Sequence, residues 1–187
     1  MSLVGKKIQE FNVRAFHDNE FKTITNEDFI GKWNILMFYP ADFSFVCPTE
    51  LEDLQENYAK LKELGVEVYS ASTDSEFAHC AWHLDNLKIS VIEYPMLADP
   101  SWKLSRAFDV LDEEQGMAQR GTFIIDPEGV IQAEEITADG IGRNASHLLN
   151  KVKAAQFIRK YPDQVCPAKW VEEDEAIERS LDKVNKI

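Results

Sequence analysis

Two strand-like segments, NILMFY at Asn34 to Tyr39 and VEVYSAS at Val66 to Ser72, flank a stretch of helical periodicity, and this order constrains the fold more than any other feature of the chain. The first segment is apolar on both parities, as a strand covered on both faces of a sheet must be. Between the two, Leu51, Leu54, Tyr58, Leu61 and Leu64 recur at helical spacing. Pro48 suits a first helical turn and Gly65 a helix stop. Strand, helix and strand in this order form a β-α-β unit with parallel pairing.

Further along, Asp74 is placed to cap a helix running to about Leu87, and a shorter helix is expected over residues 100–108. GTFIID and VIQAEEI flank the turn DPEG at residues 126–129, an antiparallel hairpin, so the sheet is mixed. Leu148, Leu149, Val152, Ala155 and Ile158 predict an amphipathic helix over residues 144–159. The tail beyond it carries prolines on either side of Cys166 and a strongly charged end, as expected of a surface arm. The expected organisation is therefore an α/β domain over residues 1–160 and a C-terminal arm over residues 161–187.

Of the 187 residues 44% are hydrophobic and 28% charged, an ordinary balance for a soluble globular domain. No apolar run approaches the roughly 20 residues of a membrane span. The N-terminus MSLVGKKIQE lacks the plan of a signal peptide, so a cytoplasmic location is expected. A formal net charge of −13 argues against nucleic acid or an anionic membrane as partner, because such a surface repels phosphate. Three cysteines, Cys47, Cys80 and Cys166, are too sparse for a disulfide-stapled scaffold.

Cys47 stands where the first strand gives way to the helix. A thiol at a helix N-terminus faces free backbone N–H groups and the positive end of the helix dipole, both of which favour thiolate. Position alone leaves an inert core cysteine and a nucleophile equally open. No second cysteine lies near enough for a Cys-x-x-Cys pair. Pro40 stiffens the preceding loop, and Ser44 carries a hydroxyl that can donate to a thiolate or accept from a hydroperoxide. A free thiol with a pKa of about 8.5 is only ~3% thiolate at pH 7, so full ionisation gains at most ~30-fold, about 2 kcal/mol. Any faster reaction of the thiol needs further groups that stabilise charge developing on the leaving atom.

The pattern Pro40-x-x-x-Ser44-x-x-Cys47 resembles the active-site motif of the peroxiredoxins, and the longer string FYPADFSFVCPTE is similar to the bacterial alkyl hydroperoxide reductase C group of the typical two-cysteine members. The resemblance runs on through YSASTD, AWH, RGTFIIDPEG, DGIGRN, KVKAAQ and VCPAKW. It implies a thioredoxin-like fold, a mixed central sheet flanked by helices. It also implies a thiol peroxidase that reduces hydrogen peroxide and organic hydroperoxides, with no metal or other cofactor of its own. Pro40, Ser44, Cys47 and Arg120 match the family's active-site set, with Glu50 and Arg143 resembling residues that orient the arginine. By the same resemblance Cys166 is the resolving thiol, closing an intersubunit disulfide with Cys47. The electron donor is then an NADH-dependent flavoprotein disulfide reductase, and dimers assemble into a decameric ring. The segment NLKISVIEYPMLAD lacks a Gly-Gly-Leu-Gly insertion and the chain has no Tyr-Phe tail, which in this family implies resistance to overoxidation.

Other readings are weaker. Arg120 taken alone is an ordinary surface charge. His79, Cys80 and His83 include an i, i+4 histidine pair that can hold zinc, although the three side chains point partly in different directions. DGIGRN lacks the spacing of a phosphate loop, and EEDEAIE reads as a solvated face. A general thiol-disulfide oxidoreductase would want Cys-x-x-Cys, and an oligomeric holdase chaperone leaves the Pro40, Ser44 and Cys47 spacing without a purpose.

Overall fold

A computed structural model describes residues 2–172 and 174–180; the rest of the expected arm, residues 181–187, lies outside the described residues. Internal contacts divide the chain into Met1–Ala145 and Ser146–Ile187.

The larger unit opens with a hairpin of β1 (Asn12–His17) and β2 (Glu20–Thr25). Its turn, Asp18-Asn19, holds both residues in the left-handed region, φ 53° and 58°, which short polar side chains tolerate best. Next come β3 (Trp33–Phe38), α1 (Cys47–Glu56), α2 (Tyr58–Glu63), β4 (Val66–Ser72) and α3 (Glu76–Asp85). They are followed by β5 (Met96–Ala98), α4 (Lys103–Ala107), the short strands β6 (Leu111–Asp112) and β7 (Met117–Ala118), and the hairpin β8 (Arg120–Ile125) and β9 (Ile131–Thr137).

Seven strands form one sheet in the order β2-β1-β5-β4-β3-β8-β9. β3 pairs in parallel with β4 and antiparallel with β8, so the expected β-α-β unit and the expected mixed sheet both form. Every residue of β3 and of β8 is buried, which is why their apolar runs ignore parity. One face packs Leu36, Phe38, Ala71, Leu97, Phe108, Phe123 and Ile125 into a single core, while Ile35 and Met37 bury the other parity of β3. Each large side chain so buried contributes about 1.5–3 kcal/mol.

Three local expectations shift. The helix expected from Pro48 to Leu64 is two helices, broken at Asn57, whose side-chain amide donates to the Asp53 carbonyl at 2.9 Å and competes with the helical ladder. Gly65 ends the second at φ 70°, a conformation that favours glycine. The cap of α3 is Ser75, which accepts from Ala78 N; Asp74 instead accepts from Ser72 Oγ at 2.7 Å and from the backbone of Asp42 at 2.9 Å. The helix expected over residues 100–108 starts late, because the Asp99 carboxylate accepts from the N–H groups of Leu104 and Ser105.

The smaller unit contains nearly all of α5 (Ala145–Lys160) and an antiparallel pair, β10 (Gln164–Val165) with β11 (Ile177–Glu178). Trp170 is buried with its ring 5.0 Å from Phe157, and its carbonyl accepts from Asn150 Nδ2 at 2.7 Å. Cys166 follows β10 directly and is half-buried. The tail is thus tied back onto α5 by an aromatic anchor. Among the described residues no helix is long and apolar enough to cross a membrane.

Candidate active site

Cys47 is the first residue of α1, behind a loop that leaves the sheet at the end of β3, and it is fully buried. One helical turn on, Glu50 projects from the same face, as i and i+3 residues do. Arg120, the first residue of β8, reaches both: Nη1 donates to Cys47 Sγ at 3.3 Å and to Glu50 Oε2 at 2.7 Å. The next residue, Gly121, lets Val110 pack close against β8, since a Cβ there would lie 2.7 Å from Val110 Cγ1.

The guanidinium is held on its other edge by Asp139, whose carbonyl accepts from Nε at 2.6 Å and whose carboxylate accepts from Nη2 at 3.2 Å. Arg143 grips Glu50 through Nε at 2.8 Å and Nη2 at 2.9 Å, and its backbone N–H donates to Oε1 at 2.9 Å. Its Nη1 donates to the Gly121 carbonyl at 2.9 Å and to Thr122 Oγ1 at 3.0 Å, tying the pair to β8. Glu50 therefore accepts from both arginines in paired geometry that neither lysine nor a single arginine would reproduce.

Burial alone would raise the Glu50 carboxyl, but the hydrogen bonds and charge of Arg143, with the charge of Arg120, outweigh it and hold it below the ordinary value of 4.5. For Arg120, burial pulls down while the bond to Cys47 and the charge of Glu50 push up, and the guanidinium ends above its usual value. A depressed carboxyl stabilises the fold only while ionised. The contribution of Glu50 is complete above about pH 4.5 and is lost as pH falls through the lowered value. Thermal unfolding followed from pH 7 to pH 3 should show a steeper acid decline for the wild type than for Glu50→Gln. At neutral pH the variant, which leaves two buried arginines underpaired, should be less stable by about 3–5 kcal/mol.

Pro40 and Arg120 lie on the wall of a cleft of about 360 Å³ with Met117, Ile136, Ala138 and Asp139. Ser44 turns its hydroxyl back to donate to the Ala41 carbonyl at 2.8 Å. Of the two uses expected for that hydroxyl, this leaves accepting from a hydroperoxide, since its proton is already committed. Asp139 was not anticipated: an exposed aspartate in a loop gives no sign that its backbone carbonyl is the ligand.

Cys80 is partly exposed on α3, away from any such arrangement. His79 is engaged by Asp42 at 2.8 Å and by the Leu97 carbonyl at 3.1 Å, and His83 by the Ile92 carbonyl at 3.2 Å. Among the described residues no three histidine, cysteine or acidic side chains are grouped to hold a metal.

A sequence profile of the AhpC/TSA family matches residues 4–134. The chain belongs to the AhpC/TSA family. Over 187 residues, spanning both chains completely, it is 64% identical to alkyl hydroperoxide reductase C of Bacillus subtilis. The crystal structure of AhpC from Enterococcus faecalis aligns with 89% of this chain and all of its own, at 54% identity and a TM-score of 0.87. The reduced 2-Cys peroxiredoxin of Plasmodium vivax aligns at 32% identity over 97% of this chain and 96% of its own, with a TM-score of 0.93. The AhpC/TSA fold seen here is the thioredoxin-like, mixed-sheet arrangement that the sequence resemblance implied.

Proposed function

We propose that Cys47 is the peroxide-reducing thiol of this thiol-dependent peroxidase, with Arg120, Ser44 and Pro40 shaping its site and Cys166 as the resolving thiol. The peroxidase activity itself follows from family membership and from full-length relatives named alkyl hydroperoxide reductase C. One observation carries the residue assignment: the Arg120 guanidinium donates to the Cys47 sulfur at 3.3 Å while Glu50 and Asp139 fix its plane.

In the first step the Cys47 thiolate attacks the terminal oxygen of ROOH. The S–O bond forms as O–O breaks, the alkoxide takes a proton and leaves as ROH, and Cys47 becomes sulfenic acid. Arg120 beside the sulfur meets the charge spreading over the two oxygens, where an oriented donor is worth more than a lowered thiol pKa. In the second step Cys166 attacks the sulfenic sulfur and expels water. Partial burial pushes the Cys166 thiol up. The thiol therefore rests as S–H and must give up its proton as it attacks, the S–S bond forming as S–O breaks and the proton leaving with the sulfenic oxygen as water.

The disulfide is read as intersubunit. β9 is an edge strand; beyond Ile131, which exchanges backbone hydrogen bonds with Gly5 and Lys6, no strand pairs its outer side among the described residues, a surface on which a second copy can pair. Phe43, Phe77, Leu84 and Leu87 expose 59, 65, 73 and 89% of their surfaces, which supports higher assembly, a ring of five dimers in this reading. Reduction of the disulfide is assigned to an NADH-dependent flavoprotein disulfide reductase, and the location to the cytoplasm, where thiols are kept reduced.

Peroxide added without reductant should convert monomer to a covalent dimer on a non-reducing denaturing gel. Cys47→Ser and Cys166→Ser should each abolish that band and Cys80→Ala should not. An oxidised wild type that stays monomeric, with one internal Cys47 to Cys166 bond by peptide mapping, would overturn the intersubunit reading.

A further inference from the structure

The two steps ask opposite things of one loop. Cys47 is fully buried, so its sulfenic sulfur is beyond the reach of any second thiol until the segment that covers it moves. The peroxide step, in contrast, uses Cys47 where it now lies, against Arg120. What holds the segment Pro40 to Val46 in place therefore governs the balance between the steps.

That segment is anchored at Asp42, five residues before the thiol. The Asp42 carboxylate accepts from Tyr39 Oη at 2.8 Å through one oxygen and from His79 Nδ1 at 2.8 Å through the other. His79 Nε2 donates to the Leu97 carbonyl at 3.1 Å. Both ring nitrogens thus face oxygen atoms, which fixes the ring between the loop and β5. The Asp42 N–H donates to Asp74 Oδ2 at 2.9 Å, and Ser72 Oγ donates to the same oxygen. One loop residue is in this way tied to the end of β4, to α3 and to β5. Tyr39 and His79 are completely buried, and the side chain of Asp42 is 1% exposed. Burial, and then the charge of Asp42, push the Tyr39 hydroxyl well up, which keeps it an O–H donor.

The next residue shows that the anchor works against a preference of the chain. Phe43 sits at φ 54°, a region disfavoured for a bulky side chain. It persists only where the surroundings over-determine it. Here they are Asp42 on one side and the ring of Trp82, at 5.9 Å, on the other. Among the described residues, Tyr39, Asp42 and His79 make no hydrogen bond to Cys47, Arg120 or Glu50, so they act on position and not on the reacting atoms.

We propose that the buried Tyr39–Asp42–His79 cluster is a latch that holds the Cys47 loop closed for the peroxide step and sets how readily it opens for the disulfide step. The latch rests on the peroxidase reading above. With the closed loop dominant, loosening the latch leaves its population nearly unchanged and multiplies the small open population. The peroxide step then hardly alters while disulfide formation quickens. A second peroxide, which can oxidise the sulfenic acid to sulfinic acid only in the closed site, loses the race in the same proportion.

The test separates the two steps in rapid-mixing experiments on the full-length protein, using tryptophan fluorescence, which senses the loop through Trp82. Sulfinic acid at Cys47 is measured by mass spectrometry over a range of peroxide concentrations. Tyr39→Phe removes one hydrogen bond to the carboxylate, and His79→Gln keeps one donor of the two. In each, disulfide formation should be about tenfold faster. The peroxide concentration for half-maximal sulfinic acid should rise by the same factor, with the peroxide step changed less than about twofold. His79→Ala should exceed His79→Gln in both shifts if it folds; the two milder variants carry the test if it does not. A general loss of structure would lower the melting temperature without moving the two readouts together. Unchanged or slower disulfide formation in Tyr39→Phe and His79→Gln, beside a normal wild type, overturns the latch alone. A wild type with no peroxide-driven disulfide overturns the peroxidase reading with it.

Discussion

Cys47→Ser is expected to abolish peroxide turnover entirely, a loss larger than any other single substitution in this chain should cause. The reaction forms a bond to sulfur, and a serine hydroxyl is neither ionised at neutral pH nor able to cycle through a sulfenic acid. The remaining thiols do not replace it. Cys80 has no arginine hydrogen-bonded to it in the described structure, and the Cys166 thiol is pushed up by partial burial and held in the smaller unit. Peroxide consumption by the reduced protein, followed over a single turnover, should fall to the uncatalysed rate. Cys166→Ser should still consume about one equivalent before it stops. Continued consumption by Cys47→Ser would mean that the reactive thiol has been misassigned.

The second large effect is expected from Arg120→Ala, which should slow the second-order reaction with peroxide by about 10²- to 10³-fold, the usual consequence of losing an oriented donor to developing charge. Arg120→Lys should recover little of it. The arginine addresses Cys47 and Glu50 from one nitrogen and Asp139 from the other two, a fork that an ammonium group does not copy. Glu50 keeps its bonds from Arg143 when Arg120 is removed, so the variant should fold. Stopped-flow measurement of the peroxide step decides the matter, and a rate within tenfold of wild type would reduce Arg120 to a structural partner of Glu50.

Much of this site was legible before any coordinates. Pro40, Ser44 and Cys47 lie within eight residues of one another, and short-range spacing survives folding unchanged. Glu50 follows at one helical turn. Arg120 and Arg143 were legible only because a family resemblance placed them; nothing local in RGTFIID or DGIGRN says that either side chain reaches α1. The spacing puts Ser44 in the loop before Cys47, but the bond of its hydroxyl to the Ala41 carbonyl depends on how that loop turns back on itself.

The sequence by itself determined the alternation of strand and helix, the doubly buried central strand, the antiparallel hairpin about DPEG and the position of Cys47 at a strand-to-helix junction. All of these follow from periodicities of two and 3.6 residues and from proline and glycine geometry, which are properties of neighbouring residues. Periodicity did not determine the break at Asn57, the cap at Ser75 or the late start of α4, because in each a polar side chain chose among competing backbone partners a few residues away, and Asp74 was withdrawn from capping by the distant Asp42 N–H. Nor did it reveal that Asp42 and His79, 37 positions apart, share one buried bond. A buried polar pair is favourable only when both members are removed from water together and each finds its partner. Chain folding creates that condition across the sheet, and no window of sequence contains it.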